Sequence, residues 1–287
     1  LATRLFLIHA DQGLTMPRER LHPRISINTL SLAPAPLDSQ VNLVARIGAH
    51  AICPEIAQVE AFGIDATARC LRNTGLAVAA VTHRAFGFAT PEQAREAQGR
   101  LFHSIALASA LGASAIVMTT GGRGALTWPE AATRFAEAIA PCAQAARQAG
   151  IRLGIEPTSH LYADASIAHR LCDAAQLARI AGIHVIPDLF ACWADADIAA
   201  AIAEAGPLIA FVQVSDYVHG DRALPCRAVP GDGAAALDRL IPAIAATGYA
   251  GFYDLEIIGP RLQAEGREQG LARGAAYITA LLEGTPA

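Results

Sequence analysis

Four segments in the second half of the chain carry an oxygen-donor side chain at or near the end of a short apolar run. They are Gly154-Ile155-Glu156-Pro157, Val185-Ile186-Pro187-Asp188, Phe211-Val212-Gln213-Val214-Ser215-Asp216 and Tyr253-Asp254-Leu255-Glu256-Ile257. Glu156, Asp188 and Glu256 are carboxylates. Converging inside a fold, they would repel one another and resist ionisation unless a cation stood between them. One reading is a single hard divalent ion: Mn²⁺ or Mg²⁺, with Co²⁺ or Zn²⁺ as further candidates, held by carboxylate and amide oxygens. The competing reading is a structural ion-pair network. Such an ion would act as a Lewis acid on a substrate carbonyl and an adjacent hydroxyl. All 22 basic residues are Arg, so a lysine Schiff base is excluded and proton chemistry falls to carboxylates, His or a metal.

These donors need a scaffold that brings successive segments to one height. Short β-like runs alternate with longer Ala-rich helical stretches along the chain. The expected strands are Arg24–Asn28, Ala51–Ile56, Ala77–Thr82, Ala115–Thr119, Arg152–Glu156, His184–Asp188, Ile209–Val214 and Gly251–Glu256. The helical segments between them include Asp38–Gly48, Pro91–Leu111, Pro129–Ala149, Ser166–Ala181, Ala234–Ala246 and Glu265–Leu282. Pro91 and Pro129 sit at early helical positions, where the missing N–H is harmless. Gly112, Gly150, Gly182 and Gly248 follow helices, where a left-handed cap is expected. Eight such units predict an α/β fold, a single (β/α)8 TIM barrel over residues 23–287 after an N-terminal arm, 1–22. Catalytic groups then belong at the C-terminal ends of the strands.

The chain's 287 residues, 53% hydrophobic and 17% charged, suit one large core better than several small ones. A net charge of −4 argues against a nucleic-acid partner. No segment is apolar for long enough to span a membrane. Six Cys without CxxC spacing read as reduced thiols of a cytoplasmic protein. The expected partner is a small-molecule substrate, with a homo-dimer or homo-tetramer compatible with the Ala-rich helical exterior.

The chain resembles the xylose isomerase-like TIM-barrel superfamily, in its sugar phosphate isomerase/epimerase branch, from about Arg24 to Leu282. The resemblance is carried by Glu156-Pro157, Asp188, Gln213 with Asp216, the stretch Arg227-Ala228-Val229-Pro230-Gly231-Asp232-Gly233, and Gly248-Tyr249-Ala250-Gly251 leading to Glu256. It implies a metal-dependent enzyme with Glu156, Asp188, Gln213 and Glu256 as ligands. It also implies Glu156 and Glu256 as the acid/base pair and Arg227 as a substrate-binding arginine. The activity implied is isomerisation or epimerisation of a sugar or related hydroxy-ketone through an enediolate. The chain departs from this pattern twice. Gln213 stands where most such epimerases have His, an exchange familiar in the 3-dehydroshikimate dehydratases of the superfamily. Ala191 stands where a substrate-contacting His is often found. Both departures raise a second reading, a metal-dependent dehydratase or β-eliminating lyase. A DNA-repair endonuclease on the same barrel would need more strand-end His and a basic face. A non-catalytic binder would have no use for the full ligand set.

Further substrate contacts are expected from His83 at the end of the third strand, His160 and Trp193 on the loops after the fifth and sixth, and Asp216 after the seventh. A structural His, a core-covering Trp and a supporting carboxylate are the alternatives. Gly121-Gly122-Arg123-Gly124 reads as a flexible loop, with an anion cradle as the less favoured option.

Overall fold

The computed structural model describes residues 20–284, so the expected arm at 1–22 lies outside the described residues except for its last three positions. These dock under the barrel: Leu21 is buried, and the His22 backbone N–H donates to Thr279 Oγ1 (3.0 Å).

The strands are β1 (Ile25–Asn28), β2 (Ala51–Cys53), β3 (Ala77–Val78), β4 (Val81–Thr82), β5 (Ala115–Met118), β6 (Arg152–Ile155), β7 (His184–Val185), β8 (Val212–Val214) and β9 (Tyr253–Leu255). Every expected strand contains at least one of them, and β3 and β4 are two halves of the expected third strand. All ladders are parallel, in the orders β3-β2-β1-β9-β8 and β4-β5-β6-β7. The two groups meet at both seams. On one side β3 runs on into β4, and Thr82 N donates to Pro54 O (2.9 Å). On the other, parallel bridges join Val185 to Ile209 and Asp188 to Gln213. The ring is therefore an eight-position barrel.

Helices cover its outside: α1 (Leu37–Ile47), α2 (Ile56–Phe62), α3 (Ile64–Thr74), α4 (Pro91–Ala110), α5 (Trp128–Gln148), α6 (Leu171–Ala181), α7 (Leu189–Cys192), α8 (Ile198–Ala205), α9 (Leu237–Ala245), α10 (Pro260–Glu265) and α11 (Arg267–Glu283). Three start later than expected, and in α6 and α9 the reason is that the first residues are hydrogen-bonded elsewhere. Ser166 Oγ accepts from Ala168 N, and Thr120 Oγ1 accepts from Ile167 N, which holds 166–168 as a loop ahead of α6. Ala235 N is taken by Asp216, and Ala236 is left-handed (φ 46°), so α9 begins at Leu237.

One apolar core lies between strands and helices. The other faces the lumen, where Ala51, Ala79, Ala80, Ala115, Ile186 and Phe211 pack together. A Cβ on Gly154 would lie 2.7 Å from the Ile186 side chain, so the strand approach here requires glycine. Above this plug sits a polar layer in which the Asp254 carboxylate accepts from Ser26 Oγ (2.6 Å) and Asn28 Nδ2 (3.0 Å). Small, tightly filled interior positions close the barrel below and leave chemistry to its upper mouth.

Candidate active site

The four donors arrive at the mouth through the ladder itself. Glu156 N donates to Met118 O (3.2 Å), Gln213 N to Pro187 O (3.0 Å) and Glu256 N to Val214 O (3.2 Å). The backbone at each position is thus fixed by its neighbour. The side chains are drawn together: Gln213 Nε2 donates to Glu256 Oε2, and Asp188, Gln213 and Glu256 are all buried.

The cation among them is Arg227. Its guanidinium donates to Asp188 Oδ1 (2.9 Å) and Oδ2 (2.6 Å) in a bidentate pair and to Ser215 Oγ (3.2 Å), and lies 3.5 Å from Glu256 Oε1. The Phe190 ring closes one side at 4.8 Å. Burial opposes the charge on Arg227, but Asp188 and Glu256 outweigh it and hold the guanidinium firmly protonated. One guanidinium faces three carboxylates, and the imbalance falls on the glutamates. Burial first, then Glu256 and Asp188, push Glu156 up to about 8. Burial raises Glu256 as well, against the pull of Arg227. Glu156 Oε2 and Gln213 Oε1 are buried with no hydrogen-bond partner. Two orphaned acceptor oxygens beside an excess of carboxylate fit a hard dication in donor chemistry. Among the described residues, however, no three His, Cys, Asp or Glu side chains converge in a metal-holding group. Arg227 occupies that role with respect to Asp188.

Arg227 is placed by the segment that follows it. Its N–H donates to Ile258 O (3.1 Å), and Ala228 exchanges backbone hydrogen bonds with Asp216 (2.8 and 2.9 Å). The Asp216 carboxylate then accepts from the N–H groups of Tyr217 (2.8 Å), Gly231 (3.0 Å), Gly233 (2.9 Å) and Ala235 (3.0 Å). A Cβ at Gly233 would collide with the Tyr217 carbonyl, which explains a glycine there. Asp216, expected at the mouth as a substrate contact or a supporting group, organises the loop that carries Arg227.

His83 lines no part of the cavity that holds Glu156, Asp188 and Glu256. Side chains alternate along a strand, so when Thr82 meets Asn28 on the lumen side, His83 faces the helices. Its Nδ1 is 2.9 Å from Ser104 Oγ on α4, and it lines a separate 370 Å³ cavity with Glu55, Glu60 and His103. Burial, with Arg100 and Arg84 nearby, lowers its pKa to about 4.

An inner cavity of 220 Å³ is lined by Glu156, Asp188, Arg227 and Glu256, with Tyr162 and Phe190. His160 and Trp193 instead line an outer cavity of 580 Å³ that opens beside it. The sequence reading missed Phe190, Tyr162 and Tyr217. Only the position of Phe190, two residues after a strand-end Asp, offered a signal. Gly121 and Gly122 serve close packing: Gly121 N donates to Ala165 O (2.8 Å), and a Cβ on Gly122 would meet Asp164 O at 2.6 Å. No helix among the described residues is long and apolar enough to cross a membrane.

The fold recurs in solved structures. A protein of Sinorhizobium meliloti 1021 is 26% identical, with a TM-score of 0.82 over 90% of this chain and 98% of its own. The IOLI protein with a bound zinc atom is 14% identical, with a TM-score of 0.81 over 92% of this chain and 99% of its own. D-Psicose 3-epimerase from Clostridium cellulolyticum H10, solved with D-tagatose, is 16% identical, with a TM-score of 0.74 over 91% and 97%. No curated protein sequence matches significantly. The family model for the xylose isomerase-like TIM barrel matches residues 41–281, and the chain belongs to that family.

Proposed function

We propose that the protein is a divalent-metal-dependent isomerase or epimerase acting on a sugar or related hydroxy-ketone. The observation that carries this reading is a pair of glutamates, half-buried Glu156 and buried Glu256, lining one inner cavity with their ionisation suppressed by desolvation. Two glutamates facing one cavity can divide the roles of proton acceptor and proton donor. Glu156, Asp188, Gln213 and Glu256 would hold the ion, most suitably Mn²⁺ or Mg²⁺, with Co²⁺ or Zn²⁺ as alternatives. When bound, it supplies Lewis-acid polarisation of the substrate carbonyl. An ion held by this set would compete with Arg227 for the Asp188 carboxylate and leave the guanidinium freer to meet substrate oxygens.

Glu256 removes the proton from the carbon beside the carbonyl, giving an enediolate. Glu156, protonated, returns a proton to the opposite face for epimerisation or to the adjacent carbon for isomerisation. The protein in the IOLI structure binds zinc, and the Clostridium neighbour is an epimerase of a ketohexose, which agrees with this assignment. Glu256→Gln is expected to abolish both turnover and exchange of substrate hydrogen with solvent. Near-normal exchange in that variant would remove Glu256 as the base.

Gln213 favours a second reading, a dehydratase or β-eliminating lyase that begins with the same proton abstraction and then expels a β-oxygen. Product analysis separates the two. Elimination yields a new C=C bond absorbing in the ultraviolet, and isomerisation an isobaric product.

A further inference from the structure

We propose that the substrate is a keto-sugar bearing a second sugar ring, with the reacting ring in the inner cavity and the second ring against the aromatic wall of the outer one. This rests on the reading above for the inner ring and goes beyond it in assigning the outer chamber.

The inner cavity, 220 Å³, is small. Small-molecule sites usually span about 300–1,000 Å³, so it accommodates the reacting end of a ligand and little more. The adjoining chamber measures 580 Å³, and Ser159, Phe190, Ala191 and Leu224 line both. Ala191 contributes only a methyl group to this shared border. It is also the position noted in the sequence for lacking a histidine. A larger side chain there would narrow the passage.

The chamber has a built aromatic wall. Trp193 stacks on Tyr217 (centroids 5.7 Å apart, 26° between planes), and Phe190 meets Tyr217 edge-on at 6.2 Å. Tyr217 is pinned at both ends, its N–H by Asp216 and its hydroxyl donating to Asp221 O (2.7 Å). Phe190 links this wall to the catalytic cation through its contact with Arg227. Around the wall stand polar groups. Asp195, Arg170 and Asp221 are engaged with the protein, whereas the His160 and Arg222 side chains make no hydrogen bond or ion pair among the described residues. Leu161 and Tyr162, 64% and 42% exposed, leave apolar surface uncovered at the same opening. Flat aromatic faces with unused hydrogen-bonding groups at their edges suit a pyranose, which has an apolar face and a rim of hydroxyls. A purely aromatic appendage would leave the rim groups without partners.

The test compares D-fructose with ketose disaccharides carrying a hexose on fructose O3, O4, O5 or O6 (turanose, lactulose, leucrose and palatinose). Deuterium incorporation from solvent is read with Mn²⁺ present. At least one disaccharide is expected to exceed fructose tenfold or more in kcat/KM. Ala191→His and Trp193→Ala are each expected to lower that preference at least tenfold. Binding is read separately from turnover. In Trp128→Phe, Trp193 is the sole tryptophan, and its fluorescence should respond saturably to the preferred disaccharide and not to fructose. Isothermal titration of the unsubstituted protein gives the same comparison should that variant not fold. Saturable disaccharide binding without exchange on any sugar would uphold the outer chamber and refute the inner chemistry. Exchange on fructose with no disaccharide preferred or bound would overturn the inference alone. Tighter binding of phenyl glucoside than of every disaccharide would overturn it as well.

Discussion

Arg227 grips Asp188 through two parallel N–H···O contacts of 2.9 and 2.6 Å, with Asp188 buried and Arg227 partly so. This pair neutralises part of a three-carboxylate mouth, and removing one member strands the other.

Arg227→Met should therefore destabilise the metal-free protein by about 3–5 kcal/mol, the usual cost of leaving a buried charge unpaired. Arg227→Lys should recover little of this, because an ammonium cannot match the bidentate geometry. Urea unfolding with EDTA present measures both. A loss below about 1 kcal/mol, the value of an exposed pair, would show that Asp188 is not held in this way.

Glu156→Gln separates the ion-pair and metal readings of the mouth. Glu156 is not paired with Arg227, and its folded pKa of about 8 lies above the ordinary glutamate value of 4.5. A carboxyl raised on folding contributes stability below its unfolded pKa and loses it as pH rises through the folded one. In the metal-free protein, the variant should show a weaker fall in Tm between about pH 4.5 and 8 than the parent. With Mn²⁺ the order should reverse. The parent should gain about 2.7 kcal/mol at a metal concentration 100 times Kd. The variant should gain clearly less at the same concentration. No gain in the parent with Mn²⁺, Mg²⁺, Co²⁺ or Zn²⁺ would remove the metal from the proposal.

Asp216→Ala should act at a distance. It leaves the N–H groups of Gly231, Gly233 and Ala235 without their acceptor, and each such group costs about 1–3 kcal/mol if it stays buried. Hydrogen exchange should accelerate over 228–236, and kcat/KM should fall with Arg227 displaced. Unchanged protection in this segment would contradict the organising role.

His83 should set part of the acid limit of stability. Its folded pKa, about 4, lies below the ordinary histidine value of 6.5, so the unfolded chain binds the proton first as pH falls. Stability is then complete above about pH 6.5 and declines towards pH 4, by about 3 kcal/mol in all at 1.36 kcal/mol per pH unit. His83→Gln should flatten Tm across that window and leave catalysis intact if the side chain faces away from the mouth. Loss of turnover at unchanged stability would return His83 to the active site.

The order of strands and helices was legible from residue type alone, because apolar runs, helix-entry prolines and left-handed glycine caps act locally. Gly112, Gly150, Gly182 and Gly248 all take the positive φ expected of them. That Glu156, Asp188, Gln213 and Glu256 stand at one end of the barrel was legible too, since residues at the ends of consecutive parallel strands must share a height. What the chain could not declare was which way a strand-end side chain turns and what it meets there. A single step of the two-residue period separates Thr82 in the lumen from His83 against α4. The course of a loop decided that Asp216 spends its oxygens on the backbone of 231–235, that Arg227 reaches Asp188, and that Tyr217 lies under Trp193. Those contacts join residues distant in sequence, and their energies depend on burial, which exists only once the barrel has closed.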